Sequence, residues 1–400
     1  MSKEATKILP IGRPRRNQLA SKLLPLALVF ALAAVACATV SNPDGWAGPA
    51  LVEGTLYVTP DNGEMAAIDP DDLNDLSNLD PRIVPQWSFP ATDDVRCQNE
   101  TESQKRDLDG IYGSPQIDDT SVYVGGYDGN VYAIDRDDGA CNWVFDTSSP
   151  IIGGATLVGS KLYIGSDDGI LYVLDAVDGS EIESFDAGDS IWVTPLVTED
   201  AVYVSTVGGD LFALDPETLK PNWTFSADGA LLTDPVLADE TAVLVGGIGE
   251  TLYAVDITTG NEKWSFGGSN WFWARPLVAD GTIYAADLDG EVYALDLDGE
   301  LIWVAPFQAE NPIRSAPLLM KETPLVDETL LVVDRKGNVY GVDPADGFGL
   351  WPAPAVLGKT VFSNAMILGD TLLVVAQGGD LFQVDLESQG RGFLKIKVEP

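Results

Sequence analysis

The chain has 400 residues, 45% of them apolar, with 40 Gly, 25 Pro, 10 Trp, three Cys and no His. This composition supports a sizeable core, and the lack of His excludes Ser-His-Asp or Cys-His nucleophiles and His-ligated zinc or iron. The net charge is −39; beyond residue 36 the balance is 17 Lys and Arg against 61 Asp and Glu, or −44, a body that repels nucleic acid and anionic membrane surfaces.

Residues 1–22 are basic, and Leu23 to Val40 carry no charge. A basic start followed by an apolar stretch is an export signal. It contains Ala34-Val35-Ala36-Cys37, which resembles a bacterial lipobox. Residues 1–36 are therefore read as a signal peptide, Cys37 as the lipid attachment site and residues 37–45 as a short tether. An uncleaved anchor is a second reading, because 18 apolar residues can span a bilayer. Simple cleavage is a third. All three place the acidic body outside the cytoplasm.

From residue 46 to 398 the chain repeats itself. An apolar strand ending in Asp recurs at Asp69, Asp135, Asp175, Asp215, Asp256, Asp296, Asp343 and Asp385. The spacing is close to 40 residues except after the first repeat, which places an insertion at about 91–109. Each repeat holds four short runs rich in Val, Ile, Leu and Tyr, bounded by Gly and Asp, which are strand signals. Asp-Gly pairs such as Asp128-Gly129 suit tight hairpins. Four antiparallel strands repeated eight times predict an all-β, eight-bladed β-propeller.

Large aromatic residues follow the Asp strands at a regular distance. Trp87, Trp143, Trp223, Trp264, Trp303, Trp351 and Phe393 are expected to wedge between blades, while repeat three has only Phe185 nearby. Cys97, in the insertion, and Cys141 form an even pair in an oxidising compartment, so a disulfide is expected. Residues 393–398 supply the last strand of blade eight, with no evident strand exchange between the termini. Asp287-Leu-Asp289-Gly290 and Asp296-Leu-Asp298-Gly299 lack the rest of a calcium loop and read as turns.

The segment Ala254-Val-Asp-Ile-Thr-Thr-Gly-Asn-Glu-Lys-Trp264 resembles the pyrroloquinoline-quinone-like propeller repeat, A-x-D-x-x-T-G-x-x-x-W, and Ala133 to Trp143 is similar. Length, signal and blade count make the chain most similar to the BamB-type envelope lipoprotein of the outer-membrane barrel assembly machine. The resemblance implies a non-catalytic scaffold without a cofactor. The quinoprotein dehydrogenases of the same fold carry adjacent cysteines and large insertions, whereas Cys97 and Cys141 stand 44 apart.

In a blade with strands A to D from the channel outward, the loop before A and the B–C loop share one face. That face gathers Trp46, Trp192, Trp271, Phe272 and Trp273 with Arg275, Arg314, Arg335, Lys336 and Lys359. Aromatics with Arg favour protein contacts. Trp192, Trp271, Phe272, Trp273, Arg275, Arg314, Arg335 and Lys336 are therefore expected to bind a protein partner in the cell envelope, with the chain monomeric. Plugging of the channel mouth by Trp271 and Trp273 is the structural alternative. A quinone- and calcium-dependent dehydrogenase and a small-ligand or polysaccharide sensor are the functional ones.

Overall fold

The computed structural model describes residues 47–59, 64–74, 82–90, 97–100, 108, 110–321 and 328–398. The readings of Cys37 and Trp46, and most of the insertion at 91–109, lie outside the described residues. Within Asp44–Pro400 the described residues form eight sheets, seven of four strands and one of five. This is the eight-bladed propeller that the repeat predicts. Among the described residues the one departure from strands and turns is a 3₁₀ turn at Pro70–Asn74.

Blade two shows how the sequence builds the unit. Its strands A to D are Gln116–Ile117, Ser121–Gly125, Asn130–Asp135 and Cys141–Asp146. Each pairs antiparallel with the next along the chain. Gly129 closes the B–C hairpin at φ +85°, a conformation that costs glycine little. Asp135 closes the C–D turn: its Oδ1 accepts the N–H groups of Asp137 and Asp138 at 2.9 and 3.3 Å. Asp175, Asp215, Asp256, Asp296, Asp343 and Asp385 accept in the same way. The recurring Asp is thus a turn former. Strand B is buried throughout because both its faces pack against neighbouring blades, and its centre, Val122-Tyr123-Val124, is accordingly apolar without alternation.

An apolar cluster fills each blade interface, including that between blades eight and one, where Leu56, Ile68, Leu373 and Ile396 meet. Most of the interfaces contain a repeated docking contact. Trp143 leaves strand D of blade two, is 1% exposed, and donates its indole N–H to the Ala176 carbonyl of blade three at 3.0 Å. Its ring lies on Gly179, where a Cβ would come within 2.6 Å of it. Trp87 on Gly139, Trp223 on Gly260, Trp264 on Gly299 and Trp303 on Gly347 repeat the contact. Trp351 lies on Gly390. A second aromatic follows two residues later on strand D. Phe145 meets Tyr172 of the next blade edge-on at 5.3 Å, and Phe185 meets Phe212 at 5.2 Å. Phe185 therefore belongs to this second ladder.

Two of the eight interfaces differ. In blade three the docking position is Glu183, paired with Val173 and exposed. The facing turn in blade four then has Leu219 in place of glycine, buried and at φ +49°. In blade eight the position opposite Gln383 is Leu394. Phe393 was expected to be the wedge, but it stands one residue away, on the opposite side of the strand. It is 44% exposed and packs on Phe382 of its own blade.

Blade one holds both its neighbours. Arg82–Ile83, from its C–D connection, adds a fifth, parallel strand to blade eight, pairing with Lys397 and Val398. Ile83 and Leu73 are buried in that interface. On the other side, the Gln98 N–H donates to the Asn142 carbonyl at 3.1 Å, and the Val144 N–H donates to the Gln98 carbonyl at 3.1 Å. The Cys97–Cys141 disulfide locks this edge, with the Cα atoms 4.9 Å apart. A strand exchange therefore closes the ring, made by an internal segment of blade one.

Replacing Trp143 with Ala removes a fully buried ring and is expected to cost about 3–5 kcal/mol, whereas Phe393→Ala is expected to cost less than about 1 kcal/mol. Urea unfolding of both variants at equal protein concentration checks the contrast.

Candidate functional site

Each blade enters strand A through a loop of one pattern. Its channel-lining residues in blades two to eight are Tyr112, Ile152, Trp192, Leu232, Trp273, Arg314 and Phe362. The residue before each is apolar and no more than 1% exposed: Ile111, Ile151, Ile191, Leu231, Phe272, Ile313 and Val361. The backbone is extended here, so alternate side chains point into the blade interface and into the channel. Phe272 is thus a core residue in register with five Ile and Leu residues and one Val. Its predicted role as a contact residue is corrected, because its ring meets Tyr293 inside the blade.

Two positions after the lining residue stand Ser114, Gly154, Thr194, Asp234, Arg275, Ala316 and Asn364. Some of these side chains tie adjacent blades. The Gly154 N–H donates to Thr194 Oγ1 at 3.0 Å, the Thr194 N–H to Asp234 Oδ1 at 2.7 Å, and the Ala316 N–H to Asn364 Oδ1 at 2.9 Å. The B–C loops lie on the same face, as the topology requires. The Val207 N–H donates to the Ser190 carbonyl at 2.9 Å, and the Arg335 N–H to the Pro312 carbonyl at 2.8 Å.

All eight blades line a cavity of about 120 Å³ at this mouth. Trp271 is absent from its lining and Trp273 forms one wall, so the pair does not plug the channel. Trp192 is fixed by donating its indole N–H to Asp167 Oδ1 at 2.6 Å. Leu232 packs with Val207 and Ala230 beneath Trp192 and Trp273, giving that side an apolar shelf.

Cations occupy the other side. The Arg314 guanidinium lies 4.4 Å from the Trp273 ring centroid and 5.2 Å from that of Phe362, and Arg335 lies 5.3 Å from Phe362. Such contacts are worth about 0.5–2 kcal/mol each. Burial, reinforced by the neighbouring Arg335 charge, pulls the Arg314 pKa down to about 10. Burial also pushes the Asp234 carboxyl above the usual carboxylate range, against the opposing pull of the Thr194 N–H and Arg275. Lys359 is engaged elsewhere: with Lys395 it pairs Asp380 Oδ2, at 3.0 and 2.7 Å. Lys336 is exposed on the B–C loop of blade seven. The structure thus brings Trp192, Trp273, Arg275 and Arg314 together, with Arg335 beside them.

Asp287 behaves as a turn residue: its Oδ1 accepts the N–H groups of Asp289 and Glu291 at 2.9 and 3.0 Å. No cluster of three or more metal-ligating side chains occurs among the described residues. No helix among them is long and apolar enough to cross a membrane.

Residues 38–184, 127–233 and 223–395 each match the family described as "Outer membrane protein assembly factor BamB". The chain belongs to this family. Its fold is shared with the crystal structure of BamB from Moraxella catarrhalis, at 20% identity and a TM-score of 0.60, over 72% of this chain and 88% of that one. The computationally designed Ika8 protein is also similar, at 14% identity and a TM-score of 0.64, over 84% and 95% of the two chains. No curated protein matches the sequence.

Phe362, Tyr112 and Asp234 were missed as site residues in the sequence. The signal for them is the loop register: each stands at the same distance from its strand A as Trp192 or Arg275 does. An Asn at position 234 can still accept the Thr194 N–H but cannot ionise. The raised pKa means that the folded state favours the protonated acid, so that contribution is lost as pH rises through the folded value. Asp234→Asn is therefore expected to melt higher than the wild type near neutral pH, with the difference vanishing below about pH 4. Thermal unfolding across that range checks the sign.

Proposed function

We propose that this protein is a non-catalytic scaffold in outer-membrane protein assembly, acting from the cell envelope by binding protein partners. Membership of the BamB family across residues 38–395 carries the reading. The channel face supports it. It presents Trp192, Trp271 and Trp273 beside Arg275, Arg314 and Arg335 on a rigid ring, and anchors of this kind dominate protein interfaces. Trp271, Trp273 and Arg275 are the contact residues proposed from this face, together with exposed Lys336. Phe272 is left out because its ring is buried.

A lipid on Cys37, or an uncleaved segment 23–40, would hold the propeller at the membrane while its charge of −44 keeps the body clear of anionic headgroups. The protein acts as a monomer in this scheme, with the partner supplying the second surface.

In-cell crosslinking of the tagged full-length protein, followed by capture and mass spectrometry, tests the scaffold reading. A Trp271→Ala, Trp273→Ala, Arg275→Ala variant is expected to lose an envelope assembly partner while melting within a few degrees of the wild type. Capture unchanged in this variant removes the face assignment, and the absence of any assembly protein from the wild-type capture removes the scaffold reading. Fractionation separates the two anchors: Cys37→Ser is expected to move the protein into the soluble fraction, and retention in the membrane favours segment 23–40.

A further inference from the structure

The charge distribution at the channel mouth has a property that partner binding does not require. Beyond residue 36 the chain has 61 acids and 17 Lys and Arg. Among the described residues Arg136, Lys161, Lys321, Lys359 and Lys395 each have an ion-pair partner within 4.0 Å, and Lys220, Lys263, Arg275, Lys336 and Arg391 are exposed to solvent. Arg314 has neither: it is half-buried, it has no such partner, and it shares one ring, Phe362, with exposed Arg335. The Arg314 guanidinium lies against both Trp273 and Phe362. Two guanidiniums brought together repel each other, and a desolvated cation is unfavourable without a counter-ion. Stacking on rings holds the guanidinium planes but leaves their edge N–H groups to donate.

The acid in the cavity lining, Asp234, is engaged by the Thr194 N–H and lies in the field of Arg275. It does not serve Arg314. The cavity beside Arg314 holds about 120 Å³, and its adjoining wall is the apolar shelf of Trp192, Leu232 and Trp273. A guanidinium lacking an anion therefore stands in a recess lined largely by polar groups, with one apolar patch of Trp192, Leu232 and Trp273 beside it.

We propose that the channel mouth is a binding site for a carboxylate carried on a small apolar body. Arg314 takes the carboxylate through its edge N–H groups, Arg335 adds positive potential, and Trp192, Leu232 and Trp273 take the body. A free small acid and the last residue of a polypeptide both have this chemistry. The overall negative charge opposes approach, but at physiological ionic strength it is screened over about 8 Å, so contact with the guanidinium decides.

The test uses the isolated propeller-containing protein, so it is independent of the scaffold reading and of partner capture. Saturation-transfer NMR and calorimetry are run with 3-phenylpropionate, with its amide, and with a short acetylated peptide ending in Phe as the free acid and as the amide. Both acids are expected to bind saturably and both amides to bind at least about tenfold more weakly. Arg314→Gln is expected to weaken the acids about tenfold or more, and Arg335→Gln, which changes an exposed side chain, by a few-fold. Lys161→Gln, at the A–B turn of blade three, is expected to change nothing. A peptide acid that binds about tenfold more tightly than 3-phenylpropionate assigns the site to polypeptide ends, and the reverse order assigns it to free acids. Amides that bind as well as acids, acids that ignore Arg335→Gln in a folded variant, or no saturation up to about 10 mM overturn the proposal.

Discussion

Six of the eight blade interfaces depend on one contact, the indole that leaves the outermost strand of a blade and settles on the turn of the next. It supplies burial, a directed N–H bond and a fit that forbids a side chain beneath it. In Trp143 the three coincide: a fully buried ring, a 3.0 Å bond to the Ala176 carbonyl, and Gly179 under its face. Because the contact joins consecutive blades at their periphery, it sets the angle between them. The inner loops then meet at fixed distances, and bonds such as that from the Thr194 N–H to Asp234 follow at the channel. The exception after blade three makes the dependence visible. Where the indole is missing, Leu219 fills the space and glycine is no longer needed, although the backbone keeps its positive φ.

The channel mouth inherits its order from the same repetition. One residue in each entry loop faces the channel, and the repeat leaves its identity free because it carries no packing duty. Blades four to six use that freedom for Trp192, Leu232 and Trp273, and blades seven and eight for Arg314 and Phe362. The result is a lopsided rim on a nearly symmetric scaffold. The two proposed roles differ in scale: a broad face for proteins, and a small recess at Arg314 for a single charged group.

Blade count, strand order, the shared face of the entry and B–C loops and the disulfide were all legible in the sequence, because period, hairpin chemistry and an even cysteine pair are local signals. Phe272 and Phe393 were misread for one common reason. In extended chain a shift of one residue reverses the side, and aromatic identity does not reveal which side a residue faces. Aligning the entry loops shows that Phe272 falls with core positions such as Ile191, Leu231 and Ile313, rather than with Trp192. Closure of the ring was illegible because Arg82–Ile83 is a two-residue strand in an irregular connection, too short to carry any period. That Arg314 and Arg335 share a face was legible, but not that both lie over Phe362, which the sequence reading left out of the site.

The parallel pairing of Arg82–Ile83 with Lys397 and Val398 joins points more than 300 residues apart. The propeller consequently behaves as an open spiral until its final strand exists. A chain that folds from its first residue onward completes seven blades before the clasp can form. Loop closure over such a distance is slow compared with the formation of a hairpin. The ring is thus completed only by the last residues of the described chain, Lys397 and Val398.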